Sequence, residues 1–186
     1  MNKMIILSSP SGAGKTTIMK HLMKCNLNLR FSVSACSRSK REGEIDGKDY
    51  YFLSVDGFKQ KLENNDFVEW EEVYDGLFYG TLKSELERIF RIEQNVIFDV
   101  DVLGALNIKK EYTDQAMSIF VMPPSTEALK ERLTKRGTES SNSIEERLER
   151  AEEEMLKAEQ FDEVVVNDDL AEACHKAEGL VRSFLN

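Results

Sequence analysis

Four short runs of the chain, Met4–Leu7, Val96–Val100, Met117–Met122 and Val164–Val166, are nearly all apolar and rich in β-branched residues. Strands buried on both faces of a parallel sheet read this way, whereas half-exposed strands alternate. Between the runs, apolar positions recur with a helical period. Lys15–Cys25 carries Ile18, Leu22 and Cys25; Leu82–Ile92 carries Leu82, Leu86, Ile89 and Phe90; Thr126–Arg136 carries Leu129 and Leu133. Strands alternating with helices predict right-handed βαβ crossovers, hence an α/β fold with a parallel central sheet flanked by helices.

Two stretches depart from the alternation. Phe31–Thr81 holds the extended-looking pieces Phe31–Val33, Tyr50–Leu53 and Phe67–Val73, broken by five glycines, and predicts a small, mostly β insertion. Lys130–Arg150 gathers basic residues around Gly137–Asn142. There the capping box Ser143-Ile144-Glu145-Glu146 predicts the start of a long helix with Ile144, Leu148, Ala151 and Met155 on one face.

Composition narrows the function. The 186 residues suit one domain and carry 25 Lys plus Arg against 34 Asp plus Glu, a net charge of −9. That balance argues against non-specific nucleic-acid binding, so an anionic ligand would need local clusters of Arg, Lys and backbone N–H. Cys25, Cys36 and Cys174 are far apart and form no CxxC pair, which predicts neither a disulfide framework nor a zinc site. No run reaches the length of a membrane span, so a soluble, cytoplasmic protein is expected. His21 and His175 read as helix-surface residues, and Glu152–Glu154 as a solvated helix face.

The chemistry begins after the first strand. Ser9-Pro10-Ser11-Gly12-Ala13-Gly14-Lys15-Thr16 has the Walker A arrangement, with Ser9 at the position of its first glycine. Gly12 and Gly14 let successive N–H groups converge on phosphate oxygens, and the following helix adds its positive end. Lys15 can reach the β- and γ-phosphates, and the Thr16 hydroxyl can ligate Mg²⁺. Asp99 closes a hydrophobic strand at the sheet edge where ligands of open α/β sheets bind, as a metal-holding acid would. By strand alternation Asp101 is expected to point the same way and could face a second substrate. In the insertion, Arg38 and Arg41 beside hydroxyls suit a dianionic phosphate, and Glu69 with Asp101 could accept from the N1–H and exocyclic amine of guanine.

At this point the chain resembles the guanylate kinases over essentially its whole length. The resemblance is carried by Ser8–Thr17, Phe31–Ser34, Arg38–Glu44, Gly47–Tyr50, Phe67–Trp70, Tyr79–Thr81, Asp99–Asp101, Arg136–Glu139 and Val166–Asp168. It implies a phosphate-loop kinase with a core at about 1–31, 82–123 and 159–186, a GMP-binding insertion at about 32–81 and a helical lid at about 124–158. It implies ATP held by Ser11, Gly12, Ala13, Gly14, Lys15, Thr16, Thr17 and Asn167, and Mg²⁺ by Thr16 and Asp99. It further implies GMP phosphate held by Arg38, Arg41, Tyr50 and Tyr79, and guanine read by Ser34, Glu69, Thr81 and Asp101. Arg132, Arg136 and Arg147 resemble lid arginines that join Lys15 in catalysis. The implied reaction is ATP + GMP = ADP + GDP, with ATP and GMP as partners, no nucleic acid or membrane, and a homodimer left open. A peptide-binding scaffold domain would lack a working phosphate loop or lid. A kinase for a phosphorylated ribose would not need the guanine-reading acids.

Overall fold

The computed structural model describes residues 2–135 and 141–186. Its first elements are β1 (Met4–Ser8), α1 (Lys15–Leu22), β2 (Leu29–Phe31), β3 (Ala35–Cys36), β4 (Tyr51–Phe52), α2 (Val55–Glu63), β5 (Phe67–Tyr74) and β6 (Leu77–Leu82). There follow α3 (Lys83–Arg91), β7 (Asn95–Asp99), α4 (Val102–Tyr112), β8 (Ala116–Met122), α5 (Thr126–Lys135), α6 (Ser141–Met155), β9 (Glu163–Val166) and α7 (Leu170–Leu185).

The four apolar runs became four strands of a five-stranded parallel sheet in the order β2-β7-β1-β8-β9. Strand pleating sends alternate side chains to opposite faces. Ile5 and Leu7 pack with Ile18 and Leu22 of α1 and Ala177 and Val181 of α7. Met4 and Ile6 pack on the other face with Leu86 and Ile89 of α3 and Ala105 and Ile108 of α4. Burying each such aliphatic side chain contributes about 1.5–3 kcal/mol, which is why the sheet tolerates almost no polar residue along its length.

The insertion is a second sheet, β4-β3-β6-β5, with antiparallel β3–β6 and β5–β6 pairs. It is less purely β than the sequence pattern suggests, because α2 packs against it. Ser54 caps that helix by accepting from the Gly57 N–H at 3.0 Å. Phe58 is fully buried and stacks on Phe67 and Phe78 at centroid distances of 4.3 and 5.4 Å. One anchor joins the insertion to the core. Glu85, in the first turn of α3, accepts from the Val33 N–H at 3.0 Å and the Tyr51 hydroxyl at 2.8 Å while pairing with Arg88. Burial opposes its charge, but the Arg88, Val33 and Tyr51 donors win and hold its pKa low.

Three further expectations are corrected. Helix α6 begins at Ser141, so Ser143 lies inside it and the expected capping box is not its start. Helices α4 and α7 were not among the predicted elements, because α4 is apolar on too many sides to show a clean period and α7 mixes alanines with charges. Asp101 is not a strand residue: β7 ends at Asp99, and Asp101 caps α4 by accepting from the Gly104 N–H at 2.7 Å. The alternation argument therefore does not apply, and the helix cap is what aims its carboxylate.

Candidate active site

The loop between β1 and α1 needs both its glycines in the left-handed region, Gly12 at φ +93° and Gly14 at φ +98°. It is gripped from two sides. A Cβ on Gly12 would lie 3.0 Å from Leu133 of α5, and one on Gly14 only 2.2 Å from the Asn167 amide nitrogen. Asn167 is buried, and its amide donates to the Ala13 carbonyl at 2.7 Å. The structure therefore gives Asn167 a place behind the loop, holding its backbone.

Above the loop lies a cleft of about 480 Å³ lined by Ser11, Gly12, Gly14, Lys15, Thr16, Thr17, Asp99 and Asp101, with Arg147, Arg150 and Glu154 of α6 on its far side. The Lys15 ammonium is 2.5 Å from Asp99 and donates to the Val100 carbonyl at 3.1 Å, so it spans from α1 to the end of β7. Arg147 reaches across from α6 and donates to the Ser11 hydroxyl at 3.2 Å. Arg132 instead donates to the Asn167 carbonyl at 2.8 Å and does not line the cleft. Arg136 lies outside the described residues.

A smaller cleft of about 180 Å³ opens on the other side of Asp99, Val100 and Asp101, walled by Ser34, Tyr50, Glu69, Glu71 and Tyr79. Glu69 is 8% exposed, and burial, with Asp101 nearby, pushes its pKa up to about 7 against the lowering hydrogen bond from Thr81. Thr81 is itself buried and donates to Glu69 at 2.7 Å, so it holds the acid from behind and does not line the cleft. Gly104 makes room for this pair of acids: a Cβ there would lie 2.7 Å from Glu69 Oε2 and 2.9 Å from Asp101 Oδ1.

At the edge of this cleft, Arg38 lies over the rings of Tyr50 and Phe52 and forms a forked pair with Glu44 at 2.7 and 2.6 Å. The fork, with the Arg41 N–H donating to the same carboxylate, pulls the Glu44 pKa down to about 2. Arg41 is exposed and lines neither cleft.

Sequence reasoning missed several residues in and beside these clefts. Glu44 was quoted within a motif but given no role, and its place three residues after Arg41 was the available hint. Glu71 could have been found by pleating, since it stands two residues after Glu69 on the same face of β5. Its Oε2 is buried without a hydrogen-bond partner among the described residues. Arg150 and Glu154, paired at 2.9 Å, are visible only once α6 is folded over the loop.

The sequence profile of the guanylate kinase family matches residues 1–184. The chain belongs to that family. It is 50% identical to a guanylate kinase of Porphyromonas gingivalis, covering 100% of this chain and 99% of that one. It is 51% identical to one of Bacteroides thetaiotaomicron, covering 99% of this chain and 90% of that one. The crystal structure of guanylate kinase from Anaplasma phagocytophilum is similar with a TM-score of 0.76 at 31% identity, over 98% of this chain and 85% of that one. The family's phosphate-loop kinase fold is thus the architecture described above. No helix among the described residues is long and apolar enough to cross a membrane.

Proposed function

We propose that the chain transfers the γ-phosphoryl group of ATP to GMP, giving ADP and GDP. The observation that carries this reading is the shared wall: the phosphate-loop cleft and the acid-lined cleft meet along Asp99–Asp101. Donor and acceptor phosphates would come together there, and placing them in line is most of what phosphoryl transfer asks of a protein.

ATP phosphates would lie in the loop of Ser11, Gly12, Ala13, Gly14, Lys15, Thr16 and Thr17, with Asn167 fixing the loop's shape. The Thr16 hydroxyl and the Asp99 carboxylate line one cleft and are hard oxygen donors, which fit Mg²⁺. Bound there, Mg²⁺ would screen the phosphate charges. Lys15 would exchange its Asp99 partner for the β- and γ-oxygens, and Arg147 would give up Ser11 for the transferring group. Arg132 of α5 and Arg136 would add charge stabilisation as the lid (124–158) and the insertion (32–81) close on the core and exclude water.

On the acceptor side, Glu69 and Asp101 would accept from guanine N1–H and the exocyclic amine. Thr81 would keep Glu69 oriented, and Ser34 would add a hydroxyl. Arg38, Arg41, Tyr50 and Tyr79 would hold the GMP phosphate, whose oxygen attacks the γ-phosphorus as the bond to the bridging β–γ oxygen breaks. Glu44 would preset Arg38. The reading places the protein in the cytoplasm, with ATP and GMP as partners.

The test is ADP release from Mg²⁺-ATP with GMP, AMP, UMP, CMP, dTMP and ribose 1,5-bisphosphate offered separately. Release that depends on GMP, with GDP recovered, is the expected result. Release with another acceptor would overturn the assignment of Glu69 and Asp101. Binding of GMP without release would mean a binding module.

A further inference from the structure

Helices α1 and α7 pack together on one face of the sheet, and the groove beside them shares no lining residue with either cleft. His21 in the last turn of α1 and Cys25, three residues beyond the end of that helix, meet Glu178 of α7. His21 Nε2 lies 3.1 Å from Glu178 Oε2 and 3.4 Å from Cys25 Sγ, and one ligand atom from each residue lies within 4.8 Å of the others.

These are the spacings a tetrahedral cation asks for. Sulfur at about 2.3 Å and imidazole nitrogen and carboxylate oxygen near 2.1 Å from a metal put the N···S edge at about 3.6 Å and the N···O edge at about 3.4 Å. The two edges to Nε2 differ from these by no more than about 0.3 Å, less than a side chain moves within one rotamer well, and the sulfur-to-carboxylate edge is within 4.8 Å. Without a cation, a neutral His21 donates from Nε2 to Glu178 Oε2 while the Cys25 thiol donates to the His21 carbonyl 3.3 Å away, so a metal would displace these two bonds.

The surroundings also suit a metal. Arg182 donates to Glu178 Oε1 at 2.7 Å, which fixes the carboxylate and leaves Oε2 turned to His21. Outer-shell donors hold metal-binding carboxylates in this manner. The groove outside, about 660 Å³ and bordered by Cys174 and His175, gives an entry path and room for a fourth ligand.

We propose that His21, Cys25 and Glu178 bind one thiophilic divalent cation, with Zn²⁺ the best match, and water or a groove side chain completing the tetrahedron. A thiolate and an imidazole select zinc over the hard Mg²⁺ of the phosphate cleft. The cation would pin α7 to α1, the helix whose other end carries Lys15 and Thr16. The sequence expectation of no zinc site rested on cysteine spacing, and the third ligand here comes from a helix 153 residues further along the chain than Cys25.

The experiment is a Co²⁺ titration of the purified full chain after chelator treatment and dialysis, without nucleotide, followed by displacement with Zn²⁺. The expected result is a near-ultraviolet thiolate-to-cobalt band saturating at one equivalent and bleached by Zn²⁺. The band should vanish in Cys25→Ser and persist in Cys36→Ser. His21→Ala and Glu178→Gln should each weaken Co²⁺ binding by about tenfold or more. Zn²⁺ at a hundred times its Kd should raise Tm by about 5–10 °C in the parent chain and not in Cys25→Ser. Absence of the band, or its survival in Cys25→Ser, overturns the proposal. If circular dichroism shows Cys25→Ser unfolded, the Kd of folded Glu178→Gln decides instead, and an unchanged value refutes the site.

Discussion

Glu69 is the residue whose perturbation says most about the acceptor site. Its carboxyl is pushed from an ordinary 4.5 up to about 7 by burial, with Asp101 adding to the rise. On the proposed reading guanine is held by the carboxylate, so GMP binding would first deprotonate Glu69 wherever it is neutral. At pH 6 roughly one molecule in eleven carries the charge, and the KM for GMP should climb about tenfold per unit as pH falls below 7. The second ionisation of the GMP phosphate, near pH 6, also contributes in this range. Glu69→Gln separates the two effects, because it removes the carboxyl and keeps the phosphate. Its kcat/KM for GMP should fall by about 10- to 150-fold at pH 8, the cost of one charge-assisted hydrogen bond at about 1.5–3 kcal/mol. Its remaining pH dependence should be that of the phosphate alone. The same residue sets a stability trade. The folded-state pKa is raised, so the folded apoprotein binds the proton more tightly than the unfolded chain does. Stability is therefore greatest below pH 4.5 as far as this group goes, and about 3 kcal/mol is lost as pH rises to 7. Glu69→Gln, neutral throughout, should melt higher than the parent at pH 8 without GMP. Steady-state kinetics from pH 5.5 to 8, beside thermal melts, measure both halves. A parent profile no steeper than that of Glu69→Gln would refute the reasoning.

Other sites give sharper yes-or-no outcomes. Gly104→Ala puts a methyl 2.7 Å from Glu69 Oε2, so the KM for GMP should rise about tenfold while that for ATP holds, as measured by varying each substrate in turn. Lys15→Ala should lower kcat by about 10²- to 10³-fold with an unchanged circular dichroism spectrum, since the ammonium is proposed to act on charge that develops during transfer. Phe58→Ala empties the centre of the insertion's stacked rings and should cost about 3–5 kcal/mol in urea unfolding, with GMP binding weakened before ATP binding.

The sequence by itself determined the parallel sheet and the phosphate loop, because both are local. A strand buried on both faces must be apolar throughout, and a loop that wraps a phosphate must place glycine, lysine and threonine at fixed offsets. The residues proposed for the acceptor were legible in part: Glu69, Ser34, Tyr50 and Tyr79 do line one cleft. Their neighbours were not. Thr81 stands behind Glu69, Asn167 behind the phosphate loop and Arg132 on the Asn167 carbonyl, and nothing in residue type or spacing distinguishes a group that faces a cleft from one that supports it. Asp101 was expected on a strand and found at a helix cap, which changes what aims it. The raised pKa of Glu69, the space that Gly104 leaves for two carboxylates and the meeting of His21, Cys25 and Glu178 were decided by tertiary structure alone. Each depends on distances of a few ångströms between segments remote in the chain, and burial and charge act through distance rather than through sequence order.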